Sequence, residues 1–485
     1  MPWLKAFLRR GATAGWLLLL PVPVSATTLG RHTDPIAPVI LGVTGILFFA
    51  LLGRFAARRL GQPSVIGELV MGIAMGNVLY FFGADFITIL REGPAVFDVM
   101  GLTLRGVELE AAARQVLGGG DHARLLQALL GPAGPELIQV AHTVDVFSRY
   151  GVIFLLFLVG LETSVEEMRR VGWESARVAV IGVAAPFVLG FAVARTLMPE
   201  LDLNTDLFVA ATLGATSVGI TARVLRDLGR SRSATARVIL GAAVMDDILG
   251  LVMLAIVSGI IVAGGVQVDT VASTILLAAL FLAAAFWLGP RFLRLAVWVL
   301  RRLDIVEAKL FVSFLFVMVL AWFANFVGLA TIVGAFAAGV ILHDAYFVHW
   351  GDAREHRFSI RDLVAPLEAI LVPIFFVLMG IQVKLESFFD TRVLVAAGAL
   401  LVAAVLGKVL CGLGARREHH RLAVGLGMMP RGEVGLIFAS IGKSLGVISD
   451  SLFSAVVLMV VVTTLLTPPL LTRVLRRAPG TAPPG

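Results

Sequence analysis

Gly214-Ala215-Thr216-Ser217-Val218-Gly219-Ile220-Thr221 interrupts an otherwise apolar segment of the sequence. A second interruption, Gly427-Met428-Met429-Pro430-Arg431-Gly432-Glu433-Val434-Gly435, lies in a later apolar segment. Glycine and proline favour local unwinding of a helix. Unwound backbone at membrane depth is tolerated only where it is buried in protein or lines a cavity. The two stretches therefore predict a pair of discontinuous membrane helices.

The composition supports a protein that crosses a membrane many times. Hydrophobic residues make up 58% of the 485 residues and charged residues only 15%, with a mean hydropathy of +0.94. Such a chain is too apolar for a water-facing surface. The 40 Lys and Arg against 33 Asp and Glu then mark cytoplasmic loops, not a nucleic-acid partner. The single cysteine, Cys411, excludes an intramolecular disulfide, a cysteine zinc site and an iron–sulfur cluster.

Hydropathy predicts about thirteen spans, because a helix needs roughly 20 apolar residues to cross the hydrocarbon core. The ninth is short and must lean on its neighbours. The spans are predicted at approximately 36–56, 63–83, 143–161, 175–197, 205–224, 236–263, 270–289, 308–327, 330–343, 362–381, 391–412, 420–442 and 451–472.

The regions outside the spans suggest a simple organisation. Residues 1–26 have a basic start, a short apolar run and a small-residue cleavage pattern, which predicts a signal peptide; an uncleaved anchor helix is the alternative. Residues 27–477 form the membrane domain, with an extracytoplasmic insertion at about 84–142 that could cap the mouth. Residues 478–485 form a short Pro/Gly-rich tail.

Alternate loops differ in basic residues and so predict an orientation. One set carries about 25 Lys and Arg, and the other about ten although it holds the longest loop. The rich set is assigned to the cytoplasm. The mature N-terminus is then outside and the C-terminus inside, which agrees with an odd number of spans after signal cleavage.

The strongest chemical signal is the pair Asp246 and Asp247, in mid-span between apolar residues. An ionisable residue at this depth persists mainly when it has a partner or a function. Neighbours on a helix point about 100° apart, so one carboxylate can hold an ion while the other holds a partner. Two adjacent buried carboxylates also titrate as a coupled pair. An intramembrane aspartyl protease is disfavoured, because its two carboxylates approach each other from separate helices.

Lys408 is the natural counter-charge, since it lies inside the eleventh span. The alternative is that its side chain reaches the nearby cytoplasmic interface. Lys5, Lys309, Lys384 and Lys443 lie at span ends, in loops or in the leader, where an ammonium can reach water.

The two interrupted helices lie seven spans apart, and an odd separation reverses their direction. Spans four to six and eleven to thirteen thus form an inverted repeat, which is typical of a transporter with its site where the breaks cross. Thr216 and Ser217 are candidate cation ligands or merely small packing residues. Arg431 and Glu433 either satisfy each other and the broken backbone or take part in proton transfer.

Several motifs in order resemble the monovalent cation:proton antiporter-2 family. They are Gly160-Leu161-Glu162-Thr163, Ala215-Thr216-Ser217, Met245-Asp246-Asp247, Pro373-Ile374-Phe375-Phe376 with Gly380, and Pro430-Arg431-Gly432-Glu433-Val434-Gly435. The likeness runs from about Asp34 to Arg477.

The resemblance implies an all-α membrane protein of the sodium/proton antiporter fold, a homodimer whose six-helix core moves like an elevator. It implies that Asp247 binds the cation or proton, that Asp246 pairs with Lys408, and that Thr216, Ser217 and Glu433 lie nearby. The expected activity is exchange of Na⁺, or alternatively K⁺, for protons in a bacterial inner membrane, without enzymatic chemistry or a bound cofactor. A gated potassium-efflux pathway and a non-transporting sensor remain as alternatives.

Overall fold

The computed structural model describes residues 34, 36–117, 122–162, 172–217, 221–222, 224–225, 228, 230, 233–262, 268–299, 305–347, 358–417 and 419–477. The predicted signal peptide and the tail at 478–485 lie outside these residues. Within them the regular structure is helical. The α-helices are α1 Ala37–Arg59, α2 Ser64–Phe81, α3 Asp85–Glu92, α4 Ala95–Leu104, α5 Leu109–Leu117, α6 Ala123–Leu130, α7 Gly134–Glu162, α8 Trp173–Leu197, α9 Leu203–Thr212, α10 Ala234–Val262, α11 Val268–Val299, α12 Ile305–Phe326, α13 Thr331–Ile341, α14 Ile360–Ile381, α15 Thr391–Cys411, α16 Arg421–Gly427, α17 Glu433–Ser444 and α18 Asp450–Arg477.

The helices follow the predicted spans closely. In the described part of the chain, ten helices are long and apolar enough to cross a membrane. The other three predicted spans correspond to α9 with the stretch after it, to the eleven-residue α13, and to α16 followed by α17. The all-α fold is confirmed. Crossing by these three segments stays a prediction, because their unbroken helices are too short to span alone.

The long helices form two bundles. In the first, called the scaffold bundle, α7 packs against α13 and α14, α14 packs against α2, and α12 packs against α13. In the second, the core bundle, α8 packs against α10 and α15, and α15 packs against α18; α9, α16 and α17 fill its centre. Each half of the core thus has two long helices beside one interrupted segment, as the inverted repeat predicts.

Glycines allow the scaffold helices to touch backbone to backbone. A Cβ added at Gly339 of α13 would lie 2.1 Å from the carbonyl oxygen of Phe157, and one at Gly380 of α14 would lie 2.3 Å from that of Leu69. Small residues at helix contacts are the usual means of close packing in membranes, where lipid removes most of the hydrophobic driving force between helices.

In its described part the insertion is helical, and it is shorter than predicted. Helices α3 to α6 occupy residues 85–130, but α7 already begins at Gly134, so the last part of the predicted 84–142 insertion belongs to a 29-residue spanning helix. Arg91 of α3 is buried, and its guanidinium donates to both oxygens of Glu386 at 2.6 and 2.7 Å. This contact ties the insertion to the loop after α14. Whether the insertion caps the mouth stays a prediction.

The prediction that the loop and span-end lysines reach water is wrong for Lys309 and Lys443, while Lys5 lies outside the described residues. Lys309 is 2% exposed and donates to Asp344 at 3.1 Å. Lys443 is 6% exposed and lies 2.8 Å from Asp450. Lys384 also contacts Asp450, at 2.6 Å. These ammonium groups lie at span ends, as expected, but acidic residues from other segments cover them.

We expect Gly339→Ala to destabilise the protein by about 1–3 kcal/mol, because the new methyl group forces α13 away from α7. Thermal unfolding in detergent measures the effect. Gly398→Ala in α15 is the matched control, since a Cβ there meets nothing within 4 Å. Equal melting temperatures for the two variants would contradict the close approach of these helices.

Candidate functional site

The two interrupted segments meet and satisfy each other's backbone. The Ser217 N–H donates to the Pro430 carbonyl oxygen at 2.8 Å, and the Thr216 hydroxyl donates to that of Met428 at 3.3 Å. The Thr221 hydroxyl donates to the Gly427 carbonyl oxygen at 2.6 Å. A broken helix leaves backbone donors and acceptors without intrahelical partners, and burial makes this costly. Each break therefore supplies partners that the other needs.

Arg431 fastens this crossing from within. It is fully buried, and its guanidinium donates to the carbonyl oxygens of Ala215 at 2.7 Å and Ala404 at 3.2 Å. The Thr464 hydroxyl of α18 donates to the Arg431 carbonyl oxygen at 3.1 Å. One side chain therefore joins the first break, the second break and α15. This geometry agrees with the prediction that Arg431 forms hydrogen bonds to backbone groups released by the helix breaks.

Beside the crossing lies a buried ion pair. The Lys408 ammonium of α15 lies 2.8 Å from Asp246 Oδ1 of α10, and both side chains are fully buried. Lys408 therefore does not reach the interface. The second oxygen, Asp246 Oδ2, is buried without a hydrogen-bond partner in the described structure. Arg431 lies within electrostatic range of both groups.

The other predicted site residues lie on these same elements. Asp247 follows Asp246 on α10 and is half-buried. Thr216 and Ser217 are both buried at the crossing, so the structure brings them together with Arg431. Glu433 begins α17, but its side chain lies outside what the structure describes. The roles of these residues in ion binding stay predictions.

Sequence reasoning missed the glycine and proline that shape the niche of the ion pair. A Cβ at Gly182 of α8 would lie 3.4 Å from Asp246 Oδ1 and 3.6 Å from the Lys408 ammonium, and one at Gly407 would lie 2.6 Å from Pro186. Pro186 has no N–H to bond the Gly182 carbonyl, four residues earlier. A proline inside the fourth predicted span was the available signal.

Two cavities open at the seam between the bundles. One, of about 480 Å³, begins near Arg54 and Glu68 and reaches Ser217 and Gly432 at the crossing. The other, of about 250 Å³, lies at the end of the molecule that carries the insertion and is bounded by Pro94, Asp145 and Ser440. Neither lining includes Asp246, Asp247 or Lys408. The larger cavity therefore reaches the crossing from the end opposite the insertion.

Comparison with known proteins identifies the family. The family model described as "Sodium/hydrogen exchanger, transmembrane" matches residues 125–477. The chain belongs to this exchanger family. It is 34% identical to the high-affinity Na⁺/H⁺ antiporter NhaS3 of Synechocystis over 95% of this chain and 96% of that protein. It is 32% identical to the Na⁺/H⁺-K⁺ antiporter GerN of Bacillus cereus over 88% of this chain and 93% of that protein.

Further relatives and a solved structure agree with this assignment. The K⁺/H⁺ antiporter subunit KhtU of Bacillus subtilis is 29% identical over 66% of this chain and 78% of that protein. The sodium proton antiporter MjNhaP1 of Methanocaldococcus jannaschii shares the fold, with a TM-score of 0.54 at 17% identity over 90% of this chain and 96% of that one. The resemblance to cation:proton antiporters is thus confirmed, and this exchanger-family member is a multi-pass membrane protein.

We expect Lys408→Ala to lower the free energy of unfolding by about 3–5 kcal/mol, because it leaves the Asp246 carboxylate buried without its partner. The double variant Asp246→Asn/Lys408→Met removes both charges and should recover most of that loss. Arg392→Ala, an exposed cation on the same helix, is the control. Unchanged unfolding of Lys408→Ala, followed by heat or denaturant, would contradict the importance of the pair.

Proposed function

We propose that this protein exchanges a monovalent cation, Na⁺ in preference to K⁺, for protons by alternating access of the elevator type. The observation that carries the proposal is the buried Asp246–Lys408 pair beside the crossing of two broken helices, with Asp247 adjacent on the same helix. Ionisable residues at membrane depth mark ion and proton pathways. Discontinuous helices that cross at this depth are typical of secondary transporters.

The proposed coupling is competition for one carboxylate. A cation that loses its water binds Asp247, while protons leave the cluster of Asp246, Asp247 and Lys408. The Thr216 and Ser217 oxygens at the crossing are further ligand candidates. One carboxylate does not hold a cation and a proton together, and adjacent acidic groups share a coupled titration. Binding of one ion therefore favours release of the other.

Two features of the fold support movement of the core bundle against the scaffold bundle. All seven candidate residues, from Thr216 to Glu433, lie on core elements, so a shift of the core carries the whole site with it. The two cavities lie along the seam, and the larger one reaches the crossing from the end opposite the insertion. With the orientation inferred from the loop charges, this arrangement faces the cytoplasm.

K⁺ is the second candidate ion. Carboxylate, hydroxyl and carbonyl oxygens suit either monovalent cation, and GerN and KhtU are described as acting on K⁺. Na⁺ is preferred because the relative with the higher identity over nearly the whole chain, NhaS3, is described as a high-affinity Na⁺/H⁺ antiporter.

We expect Asp247→Asn to abolish exchange while the protein still inserts and folds, because the neutral amide can neither release a proton nor attract a cation. The assay uses proteoliposomes with an internal pH dye and an imposed proton gradient, to which Na⁺, K⁺ or Li⁺ is added. Glu307→Gln, which neutralises an exposed carboxylate, is the control. Near-normal exchange by Asp247→Asn would refute the role of this residue.

The same assay separates the alternatives. Cation flux without proton movement would favour a gated potassium-efflux pathway. No flux of any cation through folded protein would favour a sensor.

We also propose that the mature chain is a homodimer in the inner membrane, with its N-terminus outside and its C-terminus in the cytoplasm. If signal peptidase cuts after Ala26, intact-mass measurement of the purified protein gives a chain that begins at Thr27. A chain that retains Met1 would instead support the uncleaved anchor helix and would place the N-terminus inside.

A further inference from the structure

The smaller cavity, here called the insertion-side cavity, has walls from both bundles. Helices α7 and α14 of the scaffold form one side, and α10 and α17 of the core form the other, while Pro94 contributes from the insertion. Its volume is about 250 Å³. A water molecule takes up about 30 Å³ in the liquid, so the space is sufficient for a small cation with its hydration shell.

Two charged side chains line this cavity in the described structure, and they form an ion pair with each other. Asp145 and Arg149 lie one turn apart on α7, and the Arg149 Nε donates to Asp145 Oδ2 at 2.7 Å. The Asp145 side chain is 16% exposed and the Arg149 side chain 54%. The carboxylate therefore faces a confined, partly shielded space, whereas the guanidinium can move away into open solvent.

The backbone adds a field that favours a cation. The carboxyl-terminal ends of α12, α14 and α17 reach the cavity through Gly328, Gln382 and Leu445, against the amino-terminal ends of α4 and α13. Each carboxyl-terminal end carries roughly half a negative charge. Because the side-chain charges cancel, the excess of carboxyl-terminal ends makes the cavity favourable for a positive ion.

A buried amide in the cavity wall lacks a protein partner. Gln382 is 1% exposed, and its Nε2 makes no hydrogen bond in the described structure. A Cβ at Gly93 would lie 2.9 Å from that nitrogen, so the insertion passes directly over it. A buried donor of this kind requires an acceptor. A further water molecule in the cavity supplies one, which agrees with an ion that keeps water around it rather than a bare ion.

The cavity is separate from the crossing. Along α17 the cavity lining begins at Ile437, five residues after Gly432 at the crossing, which is about 7.5 Å at 1.5 Å per residue, and the lining includes neither Asp246 nor Asp247. An ion in the insertion-side cavity is therefore not yet at Asp247.

We propose that the insertion-side cavity is an outer cation site, where a hydrated monovalent cation is held against Asp145 before it reaches the crossing. Arg149 sets the affinity of this site because it competes with the cation for the same carboxylate. The inference rests on the proposed exchange function and adds a second binding step on one side of the membrane. If the pair is only a helix-stabilising i,i+4 contact, neutralising either partner has a small effect.

The test measures the apparent KM for Na⁺ and K⁺ in membrane vesicles of both orientations. Asp145→Asn removes the ligand and leaves Arg149 uncompensated, so KM for cation supplied from the insertion side should rise on the order of five-fold. Arg149→Gln releases the carboxylate, so KM from that side should fall. Asp145→Glu keeps the charge and should stay near the wild-type value, which verifies that the position tolerates substitution.

Two results distinguish this proposal from a structural role: the side of the membrane on which KM changes, and the direction of the change. For both neutralising variants, KM for cation supplied from the opposite side should not change, and Glu136→Gln, an exposed carboxylate of α7, should behave as wild type. Changes in the same direction for Asp145→Asn and Arg149→Gln, or no change in either, would overturn the outer site while wild-type exchange persists. Failure of the wild-type protein to exchange any cation would instead overturn the proposed function.

Discussion

The structure depends on one constraint: backbone groups that a broken helix releases inside a membrane must find partners within the protein. Neither interrupted segment satisfies this condition alone. The contacts from Ser217 to Pro430 and from Arg431 to Ala215 join the two breaks, so each half of the repeat requires the other. A site made in this way has a fixed geometry, because movement of one break without the other would expose unpaired backbone donors and acceptors.

The same constraint explains why the two bundles are built differently. The centre of the core contains polar groups such as Asp246, Lys408 and Arg431, which are held by hydrogen bonds and charge, and these lose much if separated. The scaffold relies on glycine contacts such as those of Gly339 and Gly380, where backbones touch closely. Both bundles are therefore rigid inside, for different reasons. Cavities lie along the seam between them, which is the plane along which relative motion disturbs the fewest of these contacts.

Sequence patterns predicted the fold because its main signals are local. Apolar runs locate the spans, and clusters of glycine with proline or hydroxyl residues locate the two breaks. Elimination gave Lys408 as the counter-charge, since it was the lysine in mid-span, and the family resemblance implied that its partner is Asp246, which the structure shows. The predictions about Lys309 and Lys443 failed because their burial depends on ion pairs with Asp344 and Asp450, which lie outside their own helices and which hydropathy does not report.

The niche at Gly182 and the cavity at Asp145 were missed for the same reason. From sequence alone, a glycine in an apolar helix indicates only ordinary helix packing. A lone Asp–Arg pair on a helix indicates only a solvent-exposed face. Their functional significance depends on the residues that α15 places opposite Gly182 and α17 places opposite Asp145. Local propensity contains no such information, because the partner elements lie more than two hundred residues away in the chain.

The proposed coupling follows from the cost of burying charge. An ionised carboxylate is expensive in an apolar environment, and either a proton or a bound cation lowers that cost. If the core moves against the scaffold more readily when the Asp247 carboxylate is neutralised, either a proton or a cation bound to Asp247 allows that movement. Asp246 and Lys408 both lie on core helices, so in the proposed movement the two partners are carried together. Exchange then requires no direct contact between the cation and the proton, only a shared carboxylate and a seam that opens on one side at a time.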